Sequence, residues 1–173
     1  MAIKHIFISY KHGIPSTQIA KALYDHLEAV SDALDFEIFM DDEANRAGDD
    51  WQKNIDQALA KTTHFISLLS TAYWLSSACR QEVCQVLARF EKEGSPRLLF
   101  VMAETIRPDL FTFDKDRKTG RLQSDNPQVN RVGDIHFLGP FDSSTRLVRL
   151  EPERPALFND QLAQLLRRLE RAL

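Results

Sequence analysis

Short β-rich runs alternate with longer segments of helical period along most of this chain, and that alternation is the strongest limit on what it can fold into. The first strand is read at His5–Tyr10, and Pro15 with Ser16 as N-cap opens a helix striped by Ile19, Leu23, Leu27, Val30 and Leu34. A second strand, Phe36–Met40, runs into a polar loop ending at Gly48, and a second helix starts near Asp50 with Trp51, Ile55 and Leu59 inward. Strand three is Phe65–Leu69, followed by one long helix over about Ala72–Glu93 that stops at Gly94, and then by strand four, Leu98–Met102. Strand five is placed at Arg146–Leu150, before a last helix with Leu162, Leu165, Leu166, Leu169 and Leu173 on one stripe. The irregular stretch 103–142 holds a possible hairpin tip at Asp114–Gly120 and a turn at Ser124–Pro127.

This order demands a parallel sheet with helices on both faces, because each parallel connection must cross over the sheet. Five strands suit the flavodoxin-like order 2-1-3-4-5, a three-layer α/β fold, and 173 residues suit a single domain. Ligands in such sheets bind beyond the carboxyl ends of the strands where the strand order reverses, here between strands one and three. Tyr10, Lys11 and His12, together with the residues from Ser70 onward, are therefore the first place to look.

Charge and composition exclude several function classes. A net charge of -3 and a pI near 5.9 give no electrostatic reason to expect nucleic acid. The cluster Arg167, Arg168 and Arg171 reads as a solvated helix face. The longest apolar run, Phe65–Leu69, is too short to cross a bilayer, and Met1–Tyr10 does not read as a signal peptide. Cys79 and Cys84 fall on different faces of a helix, which argues against a disulfide and for a reducing, cytoplasmic setting. Asp41-Asp42-Glu43 has no histidine at ligand spacing and no EF-hand pattern, so no metal is expected. Walker A and G-x-G-x-x-G patterns are missing as well.

Three stretches carry a family signature in order: Phe7-Ile-Ser-Tyr10; Phe39-Met-Asp41 with Gly48-Asp-Asp-Trp51; and Ser70-x-x-Tyr73-x-x-Ser-Ser-x-Cys79-x-x-Glu82. In these the chain resembles the TIR (Toll/interleukin-1 receptor) family, most clearly over 3–90. The resemblance implies the fold just described and one of two functions. Many bacterial, plant and some animal members cleave NAD at the nicotinamide–ribose bond with one glutamate, which falls here on Glu82. Others act only as assembly surfaces. The sequence departs from the first group at one position: where many members carry tryptophan four residues before the glutamate, it has Ala78. Trp74 lies a further turn back and, at helical spacing, shares a face with Ala78 and Glu82, either as an aromatic wall for nicotinamide or as packing against a loop.

The chemistry supports a single acid. Nicotinamide leaves NAD neutral, so no general acid is required, unlike ordinary glycosidases with their two carboxylates. One carboxylate suffices to stabilise positive charge developing on the ribose or to hold its hydroxyls, an effect of about 3–4 kcal/mol when preorganised. Tyr10 and Lys11 would contact adenine and phosphates or form an ordinary exposed loop. Asp41 would hydrogen-bond a ribose or cap its loop, and Ser70 would line the pocket or form a turn. Trp51 and Phe90 are read as core.

By resemblance, then, the chain is an NAD-cleaving enzyme with NAD as substrate and no cofactor, giving nicotinamide and ADP-ribose or a cyclic isomer. It would be similar to bacterial antiphage effectors that act on self-assembly through the BB loop, here Asp41–Asp50. The rivals are a non-catalytic TIR interaction module, whether adaptor or decoy, and a nucleoside hydrolase or deoxyribosyltransferase with a similar sheet.

Overall fold

A computed structural model describes residues 3–41, 49–104, 112–113, 122–123, 137–138 and 153–172. Four full strands form the parallel sheet: β1 (Lys4–Ser9), β2 (Phe36–Met40), β3 (His64–Leu69) and β4 (Arg97–Met102). Their order is β2-β1-β3-β4, so the first strand lies inside, paired with β2 and β3. A two-residue segment, β7 (Phe137–Leu138), continues the sheet in parallel beyond β4. The strand expected at Arg146–Leu150 lies outside the described residues. So does the expected tip at Asp114–Gly120, although β5 (Thr112–Phe113) and β6 (Leu122–Gln123) on either side of it pair antiparallel.

Helices cover both faces. On one lie α1 (Ser16–Leu34) and α5 (Pro155–Ala172), whose Ile19, Leu23, Leu27, Leu165 and Leu169 meet Ile6, Ile8, Ile66, Leu68 and Val101 from the sheet. On the other lie α2 (Asp49–Lys61), α3 (Thr71–Leu75) and α4 (Ser77–Glu93), packed over Phe7, Phe65, Leu69 and Phe100. Strand alternation divides these sets: odd positions of β1 (Phe7, Ser9) serve the α2–α4 face, even positions (Ile6, Ile8) the α1–α5 face.

Three details differ from the sequence reading. Ser16 is the first helical residue of α1, not its cap; the helix entry is held instead by Thr17 Oγ1, which accepts from the Gly13 amide at 3.0 Å. The stripe of α1 fades toward its end, with Leu34 exposed. The single helix expected over Ala72–Glu93 is two, broken at Ser76. Ser76 has extended backbone, its amide ends α3 on the carbonyls of Ala72 and Tyr73, and its hydroxyl accepts from the Cys79 amide to start α4. The helix does stop at Gly94, whose φ of 70° closes it in the left-handed region.

Arg89 ties this layer together. From α4 its guanidinium donates to the carbonyls of Leu59 and Ala60 at 2.7 and 2.8 Å, to that of Thr62, and to that of Ser95 at 3.3 Å. The open carbonyls at the end of α2 thereby find partners on α4. Among the described residues no helix is long and apolar enough to cross a membrane.

Candidate functional site

A groove runs between α2 and α4. Trp51, Gln52, Ile55, Asp56 and Leu59 form one wall, and Ala78, Gln81, Glu82 and Gln85 the other. Its apolar floor comes from Ile55 and Leu59; exposed amides of Gln52, Gln81 and Gln85 line the mouth. The enclosed part measures about 10 Å³, room for roughly one water.

Glu82 is the acid that reaches this groove from the core, only 8% exposed. Burying a carboxylate is costly unless it is hydrogen-bonded, and here Ser9 at the end of β1 donates its hydroxyl to Glu82 Oε2 at 2.5 Å. Ser9 Oγ also lies 2.7 Å from the Tyr73 hydroxyl. Tyr73 is fully buried, and burial, then the nearby Cys79 and Glu82, push its hydroxyl well above the usual tyrosine range. The Ser67 and Ser9 hydroxyls pull the other way without offsetting this.

Asp41, which follows β2, is 6% exposed and accepts the Trp51 indole N–H at 2.9 Å. The first residue of the segment read as the BB loop is thus joined to the groove wall. Trp51 is half-buried and faces the groove as well as the core, a correction to its reading as core alone. Phe90 is likewise half-buried at the edge of that core.

The remaining expected residues go elsewhere. Tyr10 is buried in the α1–α5 layer, its ring tilted against that of His12 with centroids 4.6 Å apart, so the sheet separates it from the groove. It follows β1 directly and continues the even side of that strand. Lys11 follows on the loop, half-exposed. Ser70 is the N-cap of α3, its hydroxyl accepting from the Tyr73 amide at 3.0 Å, and it does not line the groove. Glu104 adds to that helix start by accepting from the Thr71 amide at 2.9 Å. Trp74 is 3% exposed, edge-on to Tyr73 with ring centroids 5.7 Å apart. The break at Ser76 removes the helical register that would align it with Ala78 and Glu82, so the aromatic wall of the groove is Trp51 instead. Ala78 itself is exposed in the groove.

Sequence reasoning missed Ser9, Trp51, Gln52, Gln81 and Gln85 as groove or support residues. Strand parity in Phe7-Ile-Ser-Tyr10 was the available signal for Ser9, and Gly48-Asp-Asp-Trp51 the one for Trp51.

The family model for the TIR domain matches residues 6–132. Among solved structures, the TIR domains of the activated Roq1 resistosome, described as directly recognizing the pathogen effector XopQ, are similar at 21% identity and a TM-score of 0.43. That match covers 57% of this chain and 58% of the other. No curated protein matches the chain.

Proposed function

The chain belongs to the TIR domain family, and from that premise we propose that it cleaves the nicotinamide–ribose bond of NAD. The observation that carries this reading is Glu82, a buried carboxylate held by Ser9 at the edge of a groove walled by an indole and three amides. In the reaction the bond between ribose C1′ and the nicotinamide nitrogen breaks. Both electrons go to the nitrogen, cancelling its positive charge. The positive charge left on the ribose is met by Glu82, at no cost in reorganisation because the carboxylate is already oriented. Water then adds to C1′ and loses a proton, giving ADP-ribose; attack from within the molecule gives a cyclic isomer. Trp51 offers an aromatic face for nicotinamide, and the glutamine amides offer partners for its carboxamide and the ribose hydroxyls.

The enclosed part of the groove, about 10 Å³, is narrow for a dinucleotide, and in the proposed cycle self-assembly through Asp41–Asp50, as in related members, is the step that would widen it. Such an enzyme fits a bacterial antiphage role in which NAD is depleted or a nucleotide signal made. The same narrowness, with Ala78 where many NAD-cleaving relatives have tryptophan, favours a second reading as a non-catalytic assembly module.

Turnover of NAD at high protein concentration with a crowding agent separates the two. Nicotinamide release by the wild type that disappears in Glu82→Ala supports the enzyme, and chromatography of the second product distinguishes linear from cyclic. A folded, assembled wild type that releases none leaves the assembly module.

A further inference from the structure

Three buried side chains from three elements, Ser9 of β1, Tyr73 of α3 and Glu82 of α4, form a continuous hydrogen-bonded row. A serine hydroxyl has one proton. At 2.5 Å from Glu82 Oε2 that proton is given to the carboxylate, a charge-assisted bond of the short kind. Ser9 then has none left for Tyr73, so at 2.7 Å the tyrosine must be the donor. The row therefore has a direction: Tyr73 O–H to Ser9 Oγ, Ser9 O–H to Glu82 Oε2. A fully buried tyrosine suits the first place in it, because burial keeps its proton on.

We infer that Ser9 and Tyr73 are positioning residues for Glu82, a relay that holds the carboxylate ionised and in one orientation toward the groove. This rests on the NAD-cleaving reading for its catalytic consequence, though not for its effect on Glu82 itself. Without the relay, the buried carboxylate of Glu82 would lose its charge-assisted bond to Ser9 and the orientation that bond gives it. A hydroxyl bonded to the charged form also favours that form over the protonated one.

The test is a titration of the Glu82 carboxyl carbon by NMR in ¹³C-glutamate-labelled protein, its resonance assigned by loss in Glu82→Gln. NAD turnover is measured across pH on the same preparations. In Ser9→Ala the Glu82 midpoint is expected to rise by about one pH unit, and in Tyr73→Phe by about half of that. Ser9→Thr, which keeps the donor, should hold the wild-type midpoint. The acid limb of turnover should move with the NMR midpoint, with kcat falling about tenfold or more in Ser9→Ala while KM changes less than threefold. Circular dichroism confirms that each variant is folded; Tyr73→Phe preserves shape if Ser9→Ala does not fold. Midpoints equal to wild type in Ser9→Ala and Tyr73→Phe would overturn the relay, even if the wild type cleaves NAD. Shifted midpoints in a protein that releases no nicotinamide would uphold the relay and remove the NAD-cleaving reading.

Discussion

Asp41 and Trp51 show how a residue-level contact joins a loop to a groove. The indole N–H donates to a carboxylate that is almost wholly buried, so removing the donor costs more than one ordinary bond. Trp51→Phe is expected to lose about 1–2 kcal/mol, a fall in Tm of about 2–8 °C by thermal melting, and, on the proposed activity, to raise KM for NAD. Glu82 and Asp41 were legible as candidates because polar residues recur at motif spacing. Ser9 was not, although it stands within the first of the three motifs. Knowing that it faces Glu82 requires knowing which helix layer covers the odd face of β1, and that is a tertiary fact. The same gap applies to Tyr10: its position after β1 was readable, the layer it enters was not.

At the scale of elements, the strands and most helix ends followed from local chemistry, with Gly94 the clearest case. The break at Ser76 was hidden because apolar residues continue on both sides of it, from Tyr73 and Trp74 into Cys79 and Val83. Paired serines at 76 and 77 were the available capping signal. Their effect is to release Trp74 into the core and leave Ala78 at the groove. The groove's two walls are joined at one end by Arg89, which serves carbonyls at the end of α2 from the body of α4. Arg89→Met keeps much of the apolar stem and removes all of those bonds. We expect a loss of about 2 kcal/mol in urea unfolding, with an unchanged m-value, because several carbonyls lose a charged donor at once.

For the whole molecule, the four-strand order and two-sided layering were readable from alternation alone, since few topologies survive the crossover rule. Beyond β4 the pattern weakens: Phe137–Leu138 continues the sheet there, and the expected Arg146–Leu150 lies outside the described residues. Global stability should also carry a mark of the buried row. Tyr73 keeps its proton in the fold at a pH where an unfolded tyrosine, with its ordinary value near 10.0, gives it up. Above that pH the unfolded chain binds fewer protons than the folded one, so stability falls as pH rises. The contribution is complete below about pH 10 and is lost between the unfolded and the raised folded values. Chemical unfolding from pH 9 to 11 should show a decline that Tyr73→Phe lessens; an equal decline in both would remove Tyr73 as its source.

The interior place of β1 has a consequence for how the protein comes into being. Its two edges are completed by strands made later, across gaps such as the bond from the Thr63 amide to the His5 carbonyl. Ser9 leaves the ribosome long before Glu82, and 73 positions of chain separate the two. Contacts of such separation are slow to form, because the loop between them must close first. A chain stopped before α4 lacks Glu82, and on the proposed activity such a fragment could not drain the NAD of the cell making it.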